Sequence, residues 1–237
     1  YVQYGLRKGI TISKEQLRSF EEHIDSEQLY QRCLHKLSLK DRTVYEMRKW
    51  LKETELADYQ EVNVLIDKLI QKGYLDDEKL CKEQIQALSN SLYGPKQILS
   101  KLKQRGVKEN CILACMEQSK LNEYEFALAY ATKVLRQSQK SSVIKTKNTI
   151  RNKLMTRGYS NSTIENIVSE LDYSANQENE DVLLEKLVRK AMKRYERKYC
   201  GYDLKTRIFR YCLTQGFHSE DINTVMDRME WSHDEDK

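Results

Sequence analysis

Three stretches of the chain superimpose without a gap. Ile98-x3-Leu102-x3-Gly106-Val107-x4-Ile112 recurs as Ile150-x3-Leu154-x3-Gly158-Tyr159-x4-Ile164 and as Ile208-x3-Cys212-x3-Gly216-Phe217-x4-Ile222, at offsets of 52 and 58 residues. Apolar residues at i and i+4 share one face of a helix. The glycine stops that helix by taking up the left-handed cap conformation, and an apolar residue then leads into a second helix. Ser160 and Ser162, and His218 and Glu220, are polar residues suited to the start of that second helix. Ahead of each motif lies a further helical stretch, over 78–92, 123–139 and 181–199. The repeating unit is therefore three helices.

A fourth, degenerate copy precedes these, with Met47, Leu51 and Leu56 in the places of Ile98, Leu102 and Val107, and Glu55 where the glycine belongs. Its last helix, over 59–72, closes on Gly73-Tyr74 instead. End units tolerate such drift because they have a neighbour on one side only. A single proline and 8 glycines in 237 residues leave too few turn residues for a many-stranded sandwich or barrel. A mean hydropathy of −0.77 implies a thin core, which suits small stacked units better than one large globule. The expected fold is all-α: an elongated array of about four three-helix repeats, at 27–75, 76–121, 122–176 and 177–237, after an N-terminal extension over 1–26. Within that extension, Ser13 followed by Gln16 and by Leu17, Phe20 and Ile24 reads as a capped helix, and 4–10 as a leftover strand or loop of a missing piece. The polar stretch 177–181 reads as a hinge.

No apolar run approaches the roughly 20 residues that span a bilayer, and no signal peptide is legible, so a cytoplasmic location without membrane partners is expected. Six cysteines (Cys33, Cys81, Cys111, Cys115, Cys200, Cys212) include no CxxC pair, and only Cys111 and Cys115 are spaced to share a helical face. They read as reduced, packed thiols, and no metal or cofactor is expected. The chain lacks a phosphate-cradling glycine loop, HExxH and GxSxG, so no catalytic residue is assigned. Asp76-Asp77 reads as the start of the helix holding Leu80 rather than as an acid–base pair.

Net charge is only +5, but its distribution is uneven. Residues 126–164 hold eight bases and no acid: Lys133, Arg136, Lys140, Lys145, Lys147, Arg151, Lys153 and Arg157. Residues 165–185 hold seven acids and no base, and 186–210 hold ten bases against two acids. Helical spacing places Lys186, Lys190, Lys193 and Arg197 in one row opposite Leu184, Val188, Ala191 and Tyr195, and places Lys133, Arg136 and Lys140 on a common face. An ordinary solvated face mixes both signs, whereas segregated bases match a phosphate-binding footprint. Tyr195, Tyr199, Tyr202 and Tyr211 lie among the bases and are read as packing groups rather than base-stacking platforms. The acidic stretches 53–83 and 220–237 are read as solvated surface.

Arg42-Thr43-x2-Glu46-Met47-x3-Leu51, Gly73-Tyr74-Leu75-Asp76-Asp77 and Tyr93-Gly94-Pro95-x2-Ile98-x3-Leu102-x2-Arg105-Gly106-Val107, in that order, resemble the RecX family of bacterial regulators of the recombinase RecA. The resemblance runs from about residue 27 onward and is to the longer members with four repeats. Two features depart from it: Leu80-Cys81, where an aromatic residue and an alanine are expected, and the N-terminus, where a strand-rich segment is absent or truncated. The resemblance implies a non-catalytic, monomeric protein that binds RecA filaments on DNA, the DNA single-stranded within the filament, and mainly inhibits them in repair, recombination and the SOS response. Two other readings fit the charges: a free-standing DNA-binding repeat protein, and a scaffold for proteins only.

Overall fold

A polar side chain accepts the free N–H groups at the start of several helices. The computed structural model describes residues 13–54, 59–229 and 231, apart from the side chains of 17–25 and 59. Ser13 and Gln16 form a capping box that opens α1 (Lys14–Leu39), and Thr43 and Glu46 form another that opens α2 (Val44–Glu53). There follow α3 (Tyr59–Gln71), α4 (Asp77–Asn90), α5 (Pro95–Gln104), α6 (Glu109–Ser119), α7 (Glu123–Gln137), α8 (Val143–Arg157), α9 (Asn161–Glu170), the four-residue α10 (Ser174–Gln177), α11 (Glu180–Tyr195), α12 (Gly201–Thr214) and α13 (Ser219–Asp227). Among the described residues all regular structure is helical, as the composition requires. None of these helices is long and apolar enough to cross a membrane. The fragment 4–10, Glu55 and Leu56, and the acidic end beyond 231 lie outside the described residues.

The chain divides into two compact units, one comprising Tyr1–Ile85 with Lys101–Ser119 and the other Gln86–Ser100 with Lys120–Lys237. In the first, Cys33 of α1, Met47 and Leu51 of α2, and Val62, Ile66 and Leu69 of α3 form one core. The second holds two cores. One joins Ala127, Ala131 and Val134 of α7 to Ile150 and Leu154 of α8 and Ile164 and Ile167 of α9. The other joins Leu184, Val188 and Ala191 of α11 to Ile208 and Cys212 of α12 and Ile222 of α13. Every apolar position of the three gapless motifs is buried, and so are Met47 and Leu51 of the degenerate copy.

The motif glycines have the left-handed backbone that their spacing implies, with φ of +82, +85 and +85° at Gly106, Gly158 and Gly216. At each, the next N–H reaches back five residues: Val107 to Leu102, Tyr159 to Leu154 and Phe217 to Cys212. Gly73 (φ +73°) ends α3 the same way, through Tyr74 to Leu69.

At three places the C-terminus of one α-helix abuts the N-terminus of another. The Thr43 hydroxyl donates to the Arg105 carbonyl (2.6 Å), the Gly94 N–H to the Arg157 carbonyl (2.8 Å), and the Ser142 hydroxyl to the Gln215 carbonyl (2.8 Å). Each bond satisfies a carbonyl that its own helix leaves unpaired, and sets the negative end of one dipole against the positive end of the next. Acids on a third helix add to two of them, because Val44 N–H donates to Asp77 (2.8 Å) and Val143 N–H to Glu180 (3.2 Å). Asp76 meanwhile accepts from the N–H groups of Glu78 and Lys79, so both aspartates serve helix starts. The stretch 177–181 is held at both sides, by Glu180 and by buried Asn176, whose amide donates to the carbonyls of Ser138 (3.0 Å) and Ser141 (2.9 Å).

Arg105 locks the first of these junctions, with Nε and a terminal nitrogen on the two Glu46 oxygens at 2.8 and 2.9 Å. Burial pushes the Glu46 carboxyl up, but the bonds from Arg105 and the Thr43 N–H, with the Arg105 charge, outweigh it and hold the group below its ordinary value. The stability this adds is complete above the ordinary carboxyl value of 4.5 and is lost as pH falls through the lower folded value. Glu46→Gln should therefore cost about 1–2 kcal/mol at neutral pH, partial exposure having been discounted. In denaturant titrations its deficit against the wild type should close as the pH falls through that window. A deficit that persists unchanged into acid means that the pair acts through shape rather than charge.

Candidate nucleic-acid interface

On α11 the buried stripe of Leu184, Val188 and Ala191 faces the core, so the helical period turns Lys186, Lys190 and Lys193 to solvent. Arg197 continues the row two residues beyond the helix end, where Tyr199 N–H still bonds the Tyr195 carbonyl. All four are exposed, and none pairs with a carboxylate among the described residues. Arg189 on the same helix does pair, with Glu185 at 2.7 Å. The row is thus a set of uncompensated cations, three on α11 and one just beyond its end.

Three of the interleaved tyrosines are occupied by packing. The Tyr195 ring meets Tyr211 edge-on (6.3 Å) and Tyr199 at a tilt (6.5 Å), and the Arg207 guanidinium lies 3.8 Å over Tyr199. Tyr202, at 83% exposure, is the exception.

The eight bases of 126–164 separate into two groups. Arg151 is taken by a bidentate pair with Glu165 on α9 (2.8 and 2.9 Å). Arg157 lies between the Tyr93 and Tyr130 rings, 4.4 and 4.7 Å from their centres, and donates to the Ser91 carbonyl. Lys147 sits over Tyr173, and Lys145 donates to the Gln215 side chain. Lys133, Arg136, Lys140 and Lys153 remain exposed. The shared helical face does not extend to Lys140: α7 stops at Gln137, where Ser138 N–H turns back to the Leu135 carbonyl and Ser141 N–H to Ser138. Lys133 and Arg136 keep the common face, beside Leu128, Ala129 and Thr132.

Sequence spacing also missed one convergence. Cys81 on α4 meets Cys111 and Cys115 on α6, all three sulfurs lying within 4.8 Å of one another. Helix pairing across a sequence gap of thirty residues brings them together, and no local pattern signals it. Burial pushes the Cys81 thiol up to about 12.

Tandem helical units with capped helix ends define an all-α helical-repeat protein. Known proteins share this architecture. Residues 179–226 match the third three-helix domain of RecX. The regulatory protein RecX of Oceanobacillus iheyensis is 24% identical over 96% of this chain and 84% of its own length, and that of Streptococcus thermophilus 28% over 95% and 87%. A crystal structure of regulatory protein RecX superimposes with a TM-score of 0.61 at 26% identity, covering 71% of this chain and 85% of that one. RecX from Lactobacillus salivarius gives 0.57 at 25% identity, covering 63% and 98%. The chain is thus similar to RecX proteins over almost its whole length, and its residues 179–226 match a RecX domain.

Proposed function

We propose that this protein is a cytoplasmic, monomeric, non-catalytic regulator that binds the RecA–DNA filament and inhibits the recombinase. Similarity to regulatory protein RecX over about 95% of the chain supports the target. The observation that carries the DNA contact is the uncompensated row of Lys186, Lys190 and Lys193 on α11 with Arg197 just beyond its end. Four cations on a phosphate backbone release condensed counterions, so log affinity for the filament should fall with log salt at a slope of about −3 for a single strand. Helix faces of the other repeats touch recombinase subunits.

A titration against bare single-stranded DNA, RecA alone and the assembled filament, across salt, tests this reading. The strongest binding is expected on the assembly. Equal affinity for bare DNA makes the protein a free-standing DNA binder, and salt-independent binding to RecA alone makes it a protein-only scaffold. The chain should lower the DNA-dependent ATP hydrolysis of RecA while turning over no ATP itself. Robust turnover by the purified chain would overturn the non-catalytic reading.

A further inference from the structure

We propose that Cys81, Cys111 and Cys115 form a site for a thiophilic divalent d10 cation of the zinc class, which would clamp α4 to α6. Cys111 and Cys115 stand one turn apart on α6 and face Cys81 on α4, with all three sulfurs within 4.8 Å of one another. A tetrahedral ion with metal–sulfur bonds of about 2.3 Å holds its sulfurs roughly 3.8 Å apart, so the thiols need to close by about 1 Å at most. Three soft sulfur donors select such an ion over magnesium or calcium.

Charge and access agree with this assignment. Cys81 and Cys115 are buried at 0 and 1% exposure, whereas Cys111 is half-exposed and gives the ion a route in and water a place as fourth ligand. Among the described residues the other cysteines have no such neighbours: Cys33 and Cys212 are buried in separate cores, and Cys200 is exposed. Binding replaces three S–H bonds by three metal–sulfur bonds. A dication and three neutral thiols become a complex of charge −1, and three protons leave to solvent. Since each thiol gives up its proton when it binds the ion, affinity should rise with pH.

The test uses the reduced 237-residue chain, free of oxygen, with Cd2+ as the probe and Zn2+ as competitor. One Cd2+ per chain should saturate a thiolate-to-metal charge-transfer band, release about three protons, and be displaced by Zn2+. Cys111→Ser should weaken binding at least tenfold, while Cys200→Ser should leave it unchanged. In the wild-type chain, bound Cd2+ should also slow alkylation of Cys111, a readout that does not depend on any variant folding. Absence of the band at one equivalent overturns the site, as does unprotected Cys111. So does a band that survives Cys111→Ser and disappears with Cys200→Ser, which would place the ion on the exposed thiol.

Discussion

Changing Lys186, Lys190, Lys193 and Arg197 together to Glu is expected to weaken filament binding and inhibition at least tenfold, about 1.4 kcal/mol or more. Each attraction to phosphate becomes a repulsion, and the counterions condensed on the DNA are no longer displaced by protein cations. Folding should survive, because the four side chains point away from Leu184, Val188 and Ala191 and none holds an ion pair among the described residues. Gln at the same positions should have a smaller effect and flatten the salt dependence, since it removes charge without reversing it. If the Glu variant keeps its melting curve and inhibits at the same concentration and salt slope, the row is a solvated face. The contact then passes to Lys133, Arg136, Lys140 and Lys153, the exposed bases of 126–164 that hold no side-chain partner among the described residues. Arg151 and Arg157 are poor candidates under either outcome, because they hold Glu165 and the Tyr93–Tyr130 pair.

Gly158→Ala should be far more costly than Gly73→Ala, although both glycines have left-handed backbones, with φ of +85 and +73°. At Gly73 nothing lies within 4 Å of the added Cβ, so the expected cost is the conformational one, about 1–2 kcal/mol. At Gly158 the Cβ would sit 2.4 Å from the backbone nitrogen of Gln97, at the start of α5. That helix cannot retreat without breaking the bonds from Gly94 N–H to Arg157 and from Lys96 N–H to Gly158 (2.8 and 3.0 Å). Overpacking a rigid contact adds roughly 1–3 kcal/mol, for a total of about 3 kcal/mol or more. Denaturant midpoints at constant slope report the difference. Equal losses at the two glycines would falsify the close approach of the helix ends.

The repeat was legible because it is written in local chemistry. Apolar residues at i and i+4, a glycine after the last turn and a polar cap before the next helix each act within a few residues, so the helix order and the buried face of each helix follow from the chain itself. The exposed row on α11 was legible for the same reason. Once Leu184, Val188 and Ala191 are the inward stripe, the outward positions are determined by the period of the helix.

What those helices do to one another was not legible. Thr43, Glu46 and Arg105 stand out in sequence only as parts of a resemblance, yet in the fold they cap and lock one helix end against another across some sixty residues. Likewise, the glycine that stops a helix also admits the backbone of its neighbour, a second demand that spacing along the chain does not express. Arg151 and Arg157 are indistinguishable from Lys133 in a list of charges, and only the arrival of Glu165, Tyr93 and Tyr130 separates structural cations from exposed ones. The meeting of Cys81 with Cys111 and Cys115 belongs to the same class. Helix identity and amphipathic face come from interactions a few residues apart, which a sequence states directly. Partners of charged, thiol and cap groups come from contacts between helices, which packing decides.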